Sequence, residues 1–271
     1  MLLCRFSRPR SGAGAARPPG LRARIACILA GAALLAADPG VCAASADAPQ
    51  YFWGLSYFKY KEPGVMEDKS RLPALTFGVR DHSALRSGAT FGSLAGQLET
   101  SLLLTKYSGS GTQDTRYYKV LGEIYSPVYE GLYVGLGYRA LYDDSGGTTT
   151  STGARTYDRL SQYLYVPMGS LQRLQSGASL KTQVNVFLAG RQTSYFTDIS
   201  SYRNDVQNKQ TSGYGLDISY SAPSGGWEVF GRYWRIAESN TAALYTASGS
   251  LYGYMYEPRN NTFEVGARFG F

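Results

Sequence analysis

The sequence predicts an all-β protein: a transmembrane antiparallel up-and-down β-barrel of about ten strands, with eight or twelve strands as alternatives. Three observations predict this fold. Segments of barrel-strand length alternate apolar and polar residues, tight turns alternate with long polar connections, and the chain ends on Phe271 inside an alternating aromatic segment. Only 17% of the residues are charged, while Gly numbers 32 and Tyr 23, which excludes a disordered chain.

The first 46 residues predict a cleaved signal peptide, residues 1–46, that exports the rest of the chain. An Arg-rich stretch ends at Arg24, the apolar run Ile25–Ala37 follows, and small residues lead to Ala46. This run is too short to cross a bilayer as a helix, so it is interpreted as a leader and not as an anchor. Residues 47–271 are then the mature outer-membrane β-barrel.

The leader also accounts for the net charge of +7 and for the cysteines. It holds six of the 27 basic residues and one of the 20 acidic ones, leaving 21 basic against 19 acidic residues. A nearly balanced body does not indicate a nucleic-acid partner. Cys4, Cys27 and Cys42 all lie in the leader, so the body has no cysteine for a disulfide, a thiol nucleophile or a metal site.

Ten segments of the body alternate with a period of two residues, as barrel strands do. In the last segment Phe263, Val265 and Phe269 share one face, while Glu264 and Arg268 share the other. Ten residues rise about 33 Å, and a tilt near 45° leaves roughly 23 Å along the membrane normal, close to the height of a barrel's apolar band. The predicted strands are 51–61, 72–82, 92–106, 116–126, 131–142, 157–168, 178–192, 211–222, 227–238 and 262–271.

The connections predict how the barrel is oriented. Residues 127–130 and 222–226 are tight turns, whereas 143–156, 193–210 and 239–261 are long and polar. Short periplasmic turns and long extracellular loops are typical of outer-membrane barrels, and an even strand number places both termini at the periplasmic end. A soluble β-sandwich or a lipocalin-like barrel also alternates, but its apolar faces point inward. The terminal Phe271 and the Gly-, Tyr- and Arg-rich second face disfavour that alternative.

The body resembles a porin-like group of uncharacterised Gram-negative outer-membrane β-barrel proteins. The resemblance covers most of residues 51–271 and is carried by four stretches: 60–66 (YKEPGVM), 142–147 (YDDSGG), 158–167 (DRLSQYLYVP) and 257–262 (EPRNNT). It implies the barrel fold and a location in the outer membrane, and nothing finer. It places 60–66 in the first loop. It also implies that Phe271 is the signal read by the machinery that inserts barrels into the outer membrane.

The strand phases predict a charged lumen, with eight basic and five acidic side chains facing inward. We expect either a narrow, weakly anion-preferring porin-like channel for small solutes or ions, or a permeability or structural component whose charges pair inside a narrow barrel. The candidate lumen-lining residues are Arg80, Glu123, Arg139, Arg159, Lys181, Asp217, Arg232, Glu264 and Arg268, accompanied by Glu99, Lys119, Arg191 and Glu228.

Two further classes of function correspond to particular features of the sequence. A surface interaction or adhesion protein would use the three long loops. An enzyme would need His82, which is the only histidine and lies between Asp81 and Ser83; neighbouring residues on a strand face opposite ways, so this triplet does not predict a catalytic triad. We therefore expect no enzyme, no cofactor and no metal. The expected partners are outer-membrane lipid, lipopolysaccharide and the insertion machinery.

Overall fold

The computed structural model describes residues 49–86 and 92–271. The predicted signal peptide and the three cysteines lie outside the described residues. The described part contains fourteen strands, one helical turn α1 (Ser83–Arg86) and one 3-10 turn (Phe196–Asp198). The strands are β1 (Gln50–Glu62), β2 (Met66–Ser70), β3 (Ala74–Asp81), β4 (Ala95–Ser108), β5 (Thr112–Tyr129), β6 (Leu132–Asp144), β7 (Arg159–Arg173), β8 (Ser179–Ser194), β9 (Val206–Gln210), β10 (Gly213–Ser221), β11 (Trp227–Ile236), β12 (Thr241–Tyr245), β13 (Leu251–Tyr256) and β14 (Asn260–Gly270).

The strands close into an antiparallel ring. From β4 to β8 each strand pairs with the next, β10 joins β8 to β11, and β14 joins β11 back to β1. β2 and β3 both lie between β1 and β4, so they act as one interrupted strand. β9 extends the position of β10 beside β8. The ring therefore has ten strand positions, and the predicted ten-stranded barrel is confirmed.

The outer face of the ring is apolar and exposed. Along β14 the exposed side chains are Phe263, Val265 and Phe269, whereas Glu264 and Arg268 are buried inside. The same division holds on β10, where Leu216 and Ile218 are exposed. An apolar band around a closed barrel is suited to lipid, because closure leaves no backbone group unpaired in the bilayer. The barrel is transmembrane, and the alternative with inward apolar faces is wrong.

Aromatic and charged side chains mark the limits of the apolar band. The end of the barrel where β1 begins and β14 ends is called the terminal end here. There, Trp53 stacks on Phe269 with ring centroids 4.8 Å apart. Towards the opposite end, the loop end, the outward positions of β1 change from Tyr57 to Lys59 and then Lys61. Aromatic residues are typical of membrane interfaces, so the strands leave the membrane near Tyr57.

The connections only partly follow the predicted alternation of lengths. At the loop end, 145–158, 195–205 and 237–259 are long as expected, but 63–65 and 109–111 are tight hairpin turns. Gly64 has a φ of 81°, a conformation that glycine adopts without strain. Residues 60–62 therefore continue β1, and placing all of 60–66 in a loop was wrong. The strands extend above the membrane because their backbone groups go on pairing there.

α1 closes part of the barrel at the terminal end. Its Leu85 is buried in a cluster with Ala95, Tyr125 and Tyr133. Further up, Tyr165 fills the interior beside Gly137, where an added Cβ would overlap the tyrosine ring. The interior is therefore packed with aromatic side chains as well as charges. Among the described residues, no helix is long and apolar enough to cross a membrane.

Candidate functional site

Glu99 of β4 is the hub of the charged interior. Its carboxylate lies 2.9 Å from Lys119 Nζ, 2.7 Å from Arg232 Nη1 and 2.6 Å from Arg268 Nη2. Only 1% of Glu99 is exposed. The four residues come from β4, β5, β11 and β14, so this cluster links opposite parts of the barrel wall across the lumen.

Further carboxylates complete the network of paired charges. Glu264 lies 2.6 Å from Lys119 Nζ, and Asp217 lies 2.8 Å from Arg232 Nε. Glu228 lies 2.5 Å from Arg80 Nη1 and also binds Arg268. A buried charge is tolerated when it is paired and hydrogen-bonded, and the interior charges at membrane level largely meet this condition.

Glu123 and Lys181 are joined through a tyrosine. Lys181 Nζ donates to the Tyr125 hydroxyl at 2.8 Å, and Tyr125 in turn donates to Glu123. Glu123 also accepts hydrogen bonds from Tyr165 at 2.7 Å and from Gln183 at 2.8 Å. The cavity beside Lys181 and Arg268 measures about 20 Å³, which is room for one water molecule. The charges therefore fill the lumen at this level.

Arg139 differs from the other predicted lumen residues. It is 2% exposed, and its guanidinium lies 5.9 Å from the Tyr163 ring and 5.3 Å from the Trp234 ring. Both distances are within the range of cation–π contacts. Within the described part of the chain, Arg139 has no carboxylate within 4.0 Å, which leaves its charge without an anionic partner.

A second group of charges lies above the membrane level and is called the upper cluster here. Arg159 Nη1 lies 2.8 Å from Glu62, and Arg159 Nη2 lies 3.0 Å from Asp143 and 3.8 Å from Asp68. The fourth carboxyl, that of Glu257, follows β13 in the last long loop. Four carboxyls thus surround one guanidinium, the reverse of the balance at membrane level.

Two tyrosine hydroxyls bridge the four carboxyls in pairs. The Tyr60 hydroxyl oxygen lies 2.9 Å from Glu62 Oε1 and 3.0 Å from Glu257 Oε1. The Tyr117 hydroxyl oxygen lies 2.7 Å from Asp68 Oδ2 and 3.3 Å from Asp143 Oδ2. One hydroxyl has one hydrogen to donate. Both contacts of a bridge are hydrogen bonds only when one of its two carboxyls carries a proton.

The electrostatics of the upper cluster favour that extra proton. Burial, together with the neighbouring Asp143 carboxyl, raises the pKa of Asp68 to about 7. Burial and the adjacent Glu62 raise the pKa of Glu257 well above its usual value. Both residues lie outside the apolar band. Asp68 is flanked on its strand by the outward residues Glu67 and Lys69, and Glu257 lies in the loop that follows β13. The upper cluster is therefore a proton-binding site near neutral pH.

The inward assignments made from the strand phase contained one error and missed three acidic residues. Arg191 is exposed, and its Nη2 donates to Gln162 at 2.8 Å on the outer face. Leu164 pairs with Ala189 but Tyr165 pairs with Phe187, so Leu188 is an extra residue in β8. This β-bulge reverses the alternation of β8 beyond Leu188, and the inward placement of Arg191 was wrong. The acids Glu62, Asp68 and Glu257 were missed, although continuing the inward phase of β1 past Tyr60 would have found Glu62.

His82 is buried beside the aromatic cluster at the terminal end. Its ring centroid lies 6.0 Å from that of Tyr125. Ser83 Oγ donates a hydrogen bond directly to Asp81 Oδ1 at 2.6 Å, and the imidazole of His82 does not lie between them. These contacts do not connect Asp81, His82 and Ser83 into a relay of the kind a catalytic triad needs.

The last long loop carries the hairpin β12–β13, whose two faces differ. Leu244 and Met255 pack on Phe196 and Val206 of the neighbouring loop and strand. The register places Tyr254, Tyr256 and Leu251 on the opposite face, where they are 67%, 52% and 50% exposed. Residues 239–256 contain no charged side chain. The hairpin thus presents an uncharged, tyrosine-rich surface beyond the loop end of the barrel.

No protein-family model and no curated protein matches the chain. Among solved structures it is similar to the outer-membrane protease OmpT of Escherichia coli, at 10% identity and a TM-score of 0.46, over 82% of this chain and 96% of that one. It is also similar to the β domain of the Bordetella autotransporter BrkA, at 15% identity and a TM-score of 0.44, over 83% and 100% of the two chains. A third structure, the Pseudomonas putida toluene transporter TodX, matches at 10% identity and a TM-score of 0.33, over 89% and 93%.

Proposed function

We propose that this protein is an integral outer-membrane β-barrel that acts as a surface interaction or adhesion protein through its long extracellular loops. The observation that carries the proposal is the exposed, uncharged face of β12–β13, with Tyr254 67% exposed. A contiguous exposed apolar patch is typical of an interaction site. Tyrosine suits such a site because it offers a large contact area with few rotatable bonds.

The orientation and location in this proposal rest on the barrel itself. Both chain ends of the barrel lie at one end, and the long connections lie at the other. In outer-membrane barrels the long loops face outward, which supports a position of the hairpin at the cell surface. The predicted signal peptide of residues 1–46 provides export. Phe271 is 65% exposed next to Tyr51, where the insertion machinery would reach it, and the apolar band contacts lipid and lipopolysaccharide.

The porin-like channel is the second candidate, because the charged side chains that suggested it are buried inside the ring, apart from Arg191. Most of these charges form ion pairs with one another. The cavity beside Lys181 has room for only one water molecule. Conduction would require Glu99 to release Arg232 and Arg268. We further propose that the protein is not an enzyme, in line with the contacts of His82.

Adhesion of cells that display the barrel tests the proposal. The probes are immobilised fibronectin and an epithelial cell monolayer, and the comparison variant is Tyr254→Ser with Tyr256→Ser. We expect at least a tenfold loss of adherent cells with this variant at unchanged display. Tyr129→Ser is the matched control, because Tyr129 is 64% exposed in the last position of β5 at the terminal end and should not alter adhesion.

Two outcomes would overturn the interaction proposal. One is adhesion no greater than that of cells without the barrel, although heat-modifiable mobility on gels shows that the barrel is folded. The other is discrete conductance steps from the refolded barrel in a planar bilayer together with absent adhesion, which would favour the channel.

A further inference from the structure

Arg139 is a buried cation held by aromatic rings and not by a carboxylate. It lies on β6 directly opposite Tyr163 of β7, and its guanidinium also lies 5.3 Å from the Trp234 ring. Burying a cation without an anionic partner is costly. The cation–π contacts offset only part of that free-energy cost, so a negative charge bound beside Arg139 would stabilise the site.

The balance of charge at membrane level supports this. The interior charges of the described residues at this level are six cations and five carboxylates. Each cation other than Arg139 reaches a carboxylate directly, or through the Tyr125 hydroxyl in the case of Lys181. The cations are Arg80, Lys119, Arg139, Lys181, Arg232 and Arg268, and the carboxylates are Glu99, Glu123, Asp217, Glu228 and Glu264. The excess positive charge is therefore located at Arg139.

Hydrogen-bond donors without partners lie on Arg139, on the two aromatic residues that contact it and on β14 beside Trp234. The register pairs Trp234 with Thr262, and Asn260 lies two residues from Thr262 on the same inward face of β14. Within the described part of the chain, five buried atoms here have no hydrogen-bond partner: Arg139 Nη1, Tyr163 Oη, Trp234 Nε1, Asn260 Nδ2 and Thr262 Oγ1. All five can donate a hydrogen bond. A buried donor without an acceptor costs free energy, so these atoms call for an acceptor.

We propose that Arg139, Tyr163, Trp234, Asn260 and Thr262 form a binding site for one small monovalent anion, of the halide class, inside the barrel. The anion supplies the single negative charge that the membrane-level interior lacks and accepts hydrogen bonds from the donors around Trp234 and Arg139. Charge-assisted hydrogen bonds of this kind are the strong ones. The site is distinct from the loop surface and would be occupied whether or not the hairpin binds a partner.

Tryptophan fluorescence can report the anion directly. The chain has three tryptophans; Trp53 and Trp227 are exposed on the apolar outer face, and Trp234 is 1% exposed at the site. In the refolded full barrel carrying Trp53→Phe and Trp227→Phe, iodide should quench Trp234 to a plateau at constant ionic strength. Chloride should reverse the quenching by competition. Arg139→Met should abolish the plateau, or weaken the apparent affinity at least about tenfold, a change of 1.4 kcal/mol.

A matched control and a second measurement make the test decisive. Arg191→Met removes a cation from the outer face and should leave the plateau unchanged. If Arg139→Met does not fold, crystals of the unaltered barrel grown in bromide should show an anomalous peak in contact with Arg139 Nη1 and Trp234 Nε1. Linear quenching that chloride does not affect, or water density without anomalous signal at that position, would overturn the proposal.

Discussion

The barrel interior contains two charged regions built on opposite principles. At membrane level one carboxylate, Glu99, serves three cations, and nearly every charge has an oppositely charged partner. In the upper cluster one cation, Arg159, serves three carboxyls directly, and a fourth lies beside them. In the first region fixed charges balance one another except at Arg139. The second can be balanced only by protons.

The two regions therefore differ in how their charges respond to pH. An arginine–carboxylate network keeps its charges over the whole physiological pH range, because arginine does not lose its proton. A carboxyl pair bridged by one tyrosine hydroxyl changes state when a single proton leaves. The upper cluster also includes Glu257, whose backbone N–H donates to Ser239 Oγ at 2.7 Å at the base of the hairpin loop. The responsive region therefore lies next to the surface proposed to bind partners.

The largest expected effect comes from breaking the membrane-level network. Glu99→Gln keeps the shape of the side chain but leaves Lys119, Arg232 and Arg268 with too few anions. Removing one partner of a buried ion pair costs about 3–5 kcal/mol. We expect a decrease of that size in the free energy of unfolding, measured by urea titration of the barrel in lipid vesicles. A change under about 1 kcal/mol would show that the network does not hold the barrel together.

A smaller, pH-dependent effect should come from the upper cluster. Because the pKa of Asp68 is raised from 3.8 to about 7, the folded barrel binds a proton that the unfolded chain releases. The contribution of this bound proton to the free energy of unfolding is complete below about pH 4 and is lost as the pH rises towards 7. The free energy of unfolding should therefore fall between pH 4 and pH 7.

Asp68→Asn tests this dependence, since the amide cannot ionise. The variant should lose less stability than the unaltered barrel between pH 4 and pH 7, with Glu257 supplying part of the remaining slope. The same urea titrations at several pH values provide the measurement. An unchanged slope in Asp68→Asn would mean that this carboxyl ionises in the fold as it does in water.

The smallest effect is expected on the outside. Arg71 and Asp114 form an ion pair in which both side chains are 61% exposed. Exposed pairs are worth about 0–1 kcal/mol and weaken in salt. Asp114→Asn should therefore change the free energy of unfolding by less than about 1 kcal/mol at every pH. This variant is the reference for both interior variants, and a loss like that of Glu99→Gln would remove the distinction between inside and outside.

Much of the architecture was predictable because period-two alternation is local. The phase of each strand identified Arg139, Arg232 and Glu264 as inward residues without any tertiary information. The prediction failed at Arg191, since one inserted residue in a bulge reverses the phase and carries no strong sequence signal. It was incomplete at Glu62 and Asp68, because the strands were expected to end where the apolar band ends, whereas backbone pairing continues above it.

The sequence by itself determined which face of each strand meets lipid, since that choice depends only on the spacing of apolar residues. Only the tertiary structure decided which charges meet. Arg268 binds Glu99 across 169 positions of sequence, and their contact depends on how ten tilted strands close and how wide the interior is. Alternation carries no information about that closure. The same closure left Arg139 without a carboxylate and brought three carboxyls to Arg159, with Glu257 beside them.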